Sequence, residues 1–187
     1  MVRRSAGLLM YRVHSGALEV FLVHPGGPLW SRKDLGAWSI PKGEYPEGQD
    51  ALSAARREFE EETGLKPEGE FLPLSDLRQS QKKIVKAWAF EGECDAAAAR
   101  SNLFSMEWPP GSGKIEKFPE VDRAEWFTVE AAKSKILKAQ IKLIEELVEK
   151  LCRPSAPGGV LRSGGLLCLC CAVACASLPR TRPRRGS

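Results

Sequence analysis

Residues 43–65 read GEYPEGQDALSAARREFEEETGL, and the segment Arg57-Glu58-Phe59-Glu60-Glu61-Glu62-Thr63-Gly64-Leu65 inside it decides the reading of the chain. The stretch from Asp50 to Thr63 is rich in good helix formers. Asp50 suits an N-cap, and Gly64 suits the left-handed position that ends a helix. On such a helix, residues three and four apart share a face, so Glu58, Glu61 and Glu62 point the same way. A glutamate run is ordinarily a solvated helix face. Like charges at this spacing repel, however, and the arrangement costs stability unless a cation sits among them. Hard oxygen donors suit Mg²⁺ or Mn²⁺. The segment therefore reads as a metal site built on a helix, and metal held this way points to phosphate chemistry.

Working outward, Ser5–Val13 and Ala17–His24 read as strands around a His14-Ser15-Gly16 turn. A loop from Pro25 carries Trp30. Ala37–Ile40 reads as a short strand, followed by Pro41-Lys42-Gly43. After the carboxylate helix, Glu70–Gln79 and Lys83–Glu91 read as two strands joined by a polar turn. Residues 92–120 read as mostly irregular, centred on Trp108-Pro109-Pro110-Gly111-Ser112-Gly113-Lys114; a loop of that length is usually functional or mobile. Arg123–Phe127 reads as a last strand. Val129–Leu151 reads as one amphipathic helix that closes the domain.

The chain has 187 residues, 43% hydrophobic and 28% charged, an ordinary composition for a soluble globular protein. Its formal net charge of +4 comes from six arginines after residue 152; residues 1–152 hold 22 basic and 24 acidic groups. The whole-chain balance is therefore no argument for nucleic-acid binding. Only Cys94 and Cys152 precede the tail, so a disulfide framework is not expected and a reducing cytoplasmic setting is. The first residues carry no apolar run of the kind a signal peptide needs. These features place one folded domain at 1–152 and a poorly ordered Arg/Pro/Gly/Cys-rich tail at 153–187. The apolar run Leu166–Leu178 is shorter than the ~20 residues a membrane helix requires, so no membrane partner is expected. Cys168, Cys170, Cys171 and Cys175 fit no standard zinc spacing.

Residues 43–65 resemble the Nudix box, the signature of hydrolases that cleave a nucleoside diphosphate linked to another group. Gly43, Arg57, Glu58, Phe59, Glu61, Glu62, Gly64 and Leu65 match its pattern at the right spacing; Gln49 stands where the pattern has its first glutamate. The preceding Trp-Ser-Ile-Pro-Lys-Gly segment is also typical, and the resemblance extends over roughly Arg4–Leu151. It implies an α/β/α sandwich with a mixed sheet and the box as loop-helix-loop. It implies that Glu58, Glu61 and Glu62 hold a divalent metal, usually Mg²⁺ with Mn²⁺ able to substitute, joined by the backbone carbonyl of Lys42. Arg57 then orients a glutamate. A neutral amide at Gln49 cannot pair with Arg57, and Glu44 and Glu47 are nearby carboxylates that stand as substitutes.

A site of this kind recruits a further acid from outside the box. In diadenosine tetraphosphate hydrolases a glutamate lies six residues before a tryptophan, and Glu120 has that spacing from Trp126. Glu120 is thus the expected metal ligand or general base, with Asp122 as reserve. Expected substrate contacts are Lys42 and Gly43 at the box, Lys114 as a point charge on phosphate, and Trp30 and Trp108 as stacking surfaces for a base. The alternative for Lys114 is a merely exposed loop lysine, and Trp88 reads as core. His14 and His24 are unclustered and support neither a nucleophile nor a zinc site. The substrate expected is a small nucleotide, a dinucleoside polyphosphate such as diadenosine tetraphosphate. The alternatives are an oxidised nucleoside triphosphate, or a nucleotide-binding module without turnover. The sequence leaves monomer and homodimer equally open.

Overall fold

The computed structural model describes residues 3–152; the expectations for the tail lie outside the described residues. Twelve elements carry the fold. They are β1 (Arg3–His14), β2 (Ala17–Pro25), β3 (Lys42–Glu44), α1 (Ala51–Thr63), β4 (Leu72–Pro73), β5 (Leu77–Ser80), β6 (Lys83–Glu91), β7 (Leu103–Glu107), β8 (Ile115–Pro119), β9 (Val121–Thr128), α2 (Val129–Lys135) and α3 (Ile141–Cys152).

The main sheet runs β4-β6-β1-β2-β9, with β3 added to β1 and β5 to β6. It is mixed, because β1 and β6 run parallel while the other pairs are antiparallel. Side chains alternate across a strand, and β1 and β2 are apolar at successive positions because both faces of the sheet are covered. Leu9, Leu18, Val20 and Leu22 pack with Ala132, Ile136, Leu143, Ile144 and Leu147 on the α2–α3 side. Ala6, Leu8, Met10, Phe21 and Val23 pack with Ala54, Ala55 and Phe59 of α1 on the other. The result is the expected α/β/α sandwich.

Two strands share one edge of β1. Ser5–Gly7 pair with β3 and Tyr11–His14 with β2. Between them the Leu8 amide donates to the Pro41 carbonyl at 3.1 Å. Gly7 makes the approach of Pro41 and Lys42 feasible. A Cβ there would lie 2.6 Å from the Pro41 carbonyl oxygen and 2.6 Å from the Lys42 Cβ.

Three local expectations are corrected and a fourth is extended. Ala37–Ile40 is not a strand: Trp38 and Ser39 form only isolated bridges, to Ile136 and Val23, and the strand that enters the sheet is β3. Glu70–Gln79 is broken into β4 and β5, both pairing with β6. Residues 92–120 are mostly irregular as expected, but β7 and β8 within them form an antiparallel hairpin with Phe104 and Phe118 at a 6.1 Å ring separation. Val129–Leu151 is two helices. Ile136 turns extended at ψ 152°, and the next amide, Leu137 N–H, donates to the Trp38 carbonyl at 2.8 Å. The side-chain oxygen of the buried Gln140 accepts from the Ile40 amide at 3.0 Å. The Leu137 bond satisfies an amide that a continuous helix would have used internally, and the Gln140 bond satisfies the Ile40 amide. Trp88 is half-buried against the α1-side core.

Gly7→Ala is expected to push β3 off the edge of β1 by overpacking against backbone, at a cost of about 1–3 kcal/mol. Thermal unfolding of the two proteins checks this.

Candidate functional site

Helix α1 starts and stops on its own residues. The Asp50 carboxylate accepts from the Ser53 amide at 2.7 Å, and Gly64 adopts φ 74° with its amide donating to the Glu60 carbonyl at 2.7 Å. Phe59 and its neighbours fix the rotation of the helix. Phe59 packs against Phe90 at 5.3 Å and Phe21 at 6.4 Å. With that face buried, the flank carrying Glu58, Glu61 and Glu62 turns toward β3.

Two contacts join the flank to the strand. The Lys42 amide donates to Glu62 Oε2 at 3.1 Å. Gly43 lies directly beneath Glu58: a Cβ at Gly43 would sit 1.7 Å from Glu58 Oε2. The glycine of the motif is thus required by close approach of a carboxylate, and Gly43 has no positive φ to explain it otherwise. Arg57 covers the same group from the outside. Its Nη2 donates to Glu58 Oε1 at 2.5 Å and its Nη1 to Glu61 Oε2 at 2.9 Å. Glu44 and Glu47 do not substitute for the absent acid at Gln49, because they pair with Arg3 and Lys83, and with Arg4.

Glu120 lies exposed between β8 and β9, far along the chain from α1, and the backbone delivers it. The Asn102 amide donates to the Glu61 carbonyl at 3.3 Å, and the Glu120 amide donates to the Asn102 carbonyl at 2.9 Å. The Glu120 carbonyl in turn accepts from the Gly26 amide at 2.9 Å. Glu120 is close enough to Glu58 and Glu62 to repel both. Nothing in the sequence marks Asn102 as the link, since its part is played by main-chain atoms.

The electrostatics record the crowding. Burial pushes the Glu62 carboxyl up to about 7, against the pull of Lys42, and Glu58 and Glu120 add repulsion. Burial also raises Glu58, in spite of Arg57. Burial lowers the Lys42 ammonium from its ordinary range, with Glu62 opposing. Such a set of oxygen donors, desolvated and mutually repelling, fits a hard divalent cation. Among the described residues no three acidic, histidine or cysteine side chains already converge to metal-binding distance, and Arg57 holds two of the four carboxylates in ion pairs.

The other expected contacts lie apart. Trp30 sits in the 26–36 loop with the Lys33 Nζ 4.4 Å over its ring. Trp108 and Lys114 flank the β7–β8 tip, where the Trp108 amide donates to the Lys114 carbonyl at 2.9 Å. Among the described residues neither makes a hydrogen bond or ion pair to the carboxylates. Asp122 does not join them either: it faces the buried His24 at 2.7 Å. That pairing spans 98 positions, and no sequence signal announces it.

The whole of this architecture matches a known family, since the NUDIX domain model aligns with residues 1–147. The chain belongs to the Nudix family. A Nudix relative, Nudix hydrolase 7 of Arabidopsis thaliana, is 41% identical over 81 residues, covering 43% of this chain and 27% of that protein. The chain thus matches about a quarter of that relative's length. Among solved Nudix structures, the C. elegans Ap4A hydrolase binary complex superposes with a TM-score of 0.53 at 23% identity, over 80% of this chain and 98% of that one. The NUDIX domain of Shewanella oneidensis NrtR, complexed with ADP ribose, gives 0.56 at 16% identity, over 81% and 89%. Both likenesses establish the shared Nudix fold.

The raised Glu62 sets a pH dependence. Its folded value of about 7 lies above the ordinary 4.5, so between these the folded protein binds more protons than the unfolded chain. Stability must then fall as pH rises through that window. Chelator-treated protein is expected to melt at progressively lower temperature from about pH 4.5 to about pH 7, and Glu62→Gln flattens the slope; calorimetry across that range checks it.

Proposed function

We propose that this chain is a Mg²⁺-dependent hydrolase that splits a phosphoanhydride bond in a nucleoside diphosphate-linked substrate, foremost a dinucleoside polyphosphate. The observation that supports the reading is the approach of Glu120 to Glu58 and Glu62, close enough to repel both, because a lone acidic helix face needs no partner from a distant loop. Glu58, Glu61, Glu62 and Glu120 would hold the metal, with the Lys42 carbonyl beside them. When bound, Mg²⁺ neutralises phosphate oxygens and makes a water acidic enough to act as nucleophile.

The chain's own residues divide the remaining work. Arg57 orients Glu58 and Glu61 and is itself occupied by them. Glu120, the exposed carboxylate of the set, is placed to accept a proton from the attacking water. Lys42 and Gly43 would bring main chain close to the pyrophosphate, while Trp30 and Trp108 offer stacking surfaces and Lys114 a positive charge. The leaning toward dinucleoside polyphosphates rests on the Glu120–Trp126 spacing and agrees with the name of the C. elegans relative. Oxidised nucleoside triphosphates are the nearest alternative. Binding without turnover draws on a separate observation: with Gln49 neutral, Arg57 has only the metal-site carboxylates to pair with.

A panel of nucleotides incubated with Mg²⁺ decides among these. Turnover that chelation abolishes, with Glu61→Gln reduced by on the order of a hundredfold or more, is expected; tight binding with no hydrolysis of any member would establish the module instead. Gly43→Ala probes the same site independently. The atoms nearest the added methyl belong to the Glu58 carboxylate, a side-chain end that can swing away, so stability should change by less than about 1 kcal/mol. Activity should nonetheless fall at least about tenfold as Glu58 is displaced, which parallel melting curves and initial rates separate.

A further inference from the structure

His24 is fully buried, and the chemistry described above makes no use of it. Its Nδ1 lies 2.7 Å from Asp122 Oδ1 and its Nε2 lies 2.7 Å from the Lys33 carbonyl oxygen. A carbonyl and a carboxylate are both acceptors, whereas a neutral imidazole has one donor and one acceptor nitrogen. Only a doubly protonated ring donates to both. Trp38 packs against the ring in a T-shaped contact at 5.2 Å, and Asp122 is partly exposed. Arg123 shares the same carboxylate oxygen at 3.6 Å, with its guanidinium over Trp38. Asp34 is occupied by Lys135 and the Trp38 indole.

The two partners belong to parts of the molecule that must be held together. Asp122 is the extra residue of a bulge: His24 pairs with Arg123, but the next residue, Pro25, pairs with Val121. Bulges re-aim side chains beside functional sites, and this one turns Asp122 onto the imidazole. Lys33 belongs to the loop that carries Trp30. The loop is anchored at one end by the Gly26 amide on the Glu120 carbonyl and at the other by the Gly36 amide on the Ser134 carbonyl, 3.2 Å away. Between them, the Trp30 and Lys33 amides and the Ser31 hydroxyl donate within the loop, to the Gly27, Trp30 and Pro28 carbonyls. The His24–Lys33 bond ties this stretch to β2, beside the Asp34–Lys135 ion pair that ties it to α2.

We propose that His24 is a positioning residue, a buried imidazolium paired with Asp122 that pins the Trp30 loop to the sheet and so fixes the position of the Trp30 stacking surface. The loop's role in binding rests on the function proposed above; the protonation state and the tether do not.

The test uses the full chain. In 15N-labelled protein near neutral pH, both ring nitrogens of His24 should show a directly bonded proton. In Asp122→Asn the side-chain amide can donate to Nδ1, so the ring should lose that proton, keep the one on Nε2 and leave the loop in place. His24→Phe removes the tether. Exchange of the Lys33 amide should then quicken about tenfold, and KM for a nucleotide turned over in the panel should rise about tenfold with kcat within about twofold. A wild-type ring bearing a single proton overturns the proposal. So does a folded His24→Phe protein with wild-type Lys33 exchange and KM. Should His24→Phe fail to fold, the ring spectra of wild type and Asp122→Asn decide alone. A panel without turnover defeats the hydrolase reading but leaves the ring and exchange measurements to judge this one.

Discussion

The site depends on one close approach, that of Glu58 to Gly43. A helix flank carrying several carboxylates has no intrinsic reason to lie against a strand. It does so here because β3 presents a residue without a side chain at the point of contact and, one residue earlier, a backbone amide that donates to Glu62. Burial of Phe59 on the neighbouring face drives the helix down, and the acids are carried into partial burial with it. Desolvation, more than mutual repulsion, is what raises Glu62 and Glu58. The stability gained by the apolar face thus offsets the electrostatic cost of bringing these carboxylates together.

The same economy runs through the sheet. One edge of β1 is divided between β2 and β3, so the loop joining those two strands must leave the sheet and return. That excursion is the Trp30 loop, and its root at Gly26 is bonded to Glu120. A single topological feature therefore places the loop, the box strand and the distant acid next to one another. The backbone at Asn102 completes the circuit to the last turn of α1. Main-chain hydrogen bonds are tolerant of side-chain identity, which is why this cluster of acids can be held by positions with no chemical signature.

Legibility from the sequence followed the range of the interactions. The ends of α1 were readable because Asp50 and Gly64 act on atoms within a turn of themselves. The β1–β2 hairpin was readable because Ser15 and Gly16 take the positive φ that a tight turn needs. The split between α2 and α3 was not, because residues 129–151 contain neither proline nor glycine and keep a helical apolar period across the break. Bonds to Trp38 and Ile40 override that period. The β7–β8 hairpin was missed because its strands are short and largely exposed, with half-buried Phe104, Met106 and Phe118 the chief inward side chains. Of the site, Glu58, Glu61, Glu62 and Arg57 were apparent from spacing and Glu120 from a family likeness. His24 was passed over because a lone histidine at a strand end carries no local sign of its partners.

The sequence by itself determined the chemistry: a capped helix with acids at one flank, a glycine before it and an arginine within it. Those properties depend on helical geometry and charge, which neighbours along the chain settle. Only the tertiary structure decided which distant acid meets that flank, why Gly43 has no substitute, and that Asp122 serves a buried ring. Those outcomes depend on contacts between residues tens of positions apart, whose energy exists only once the sheet has brought them together.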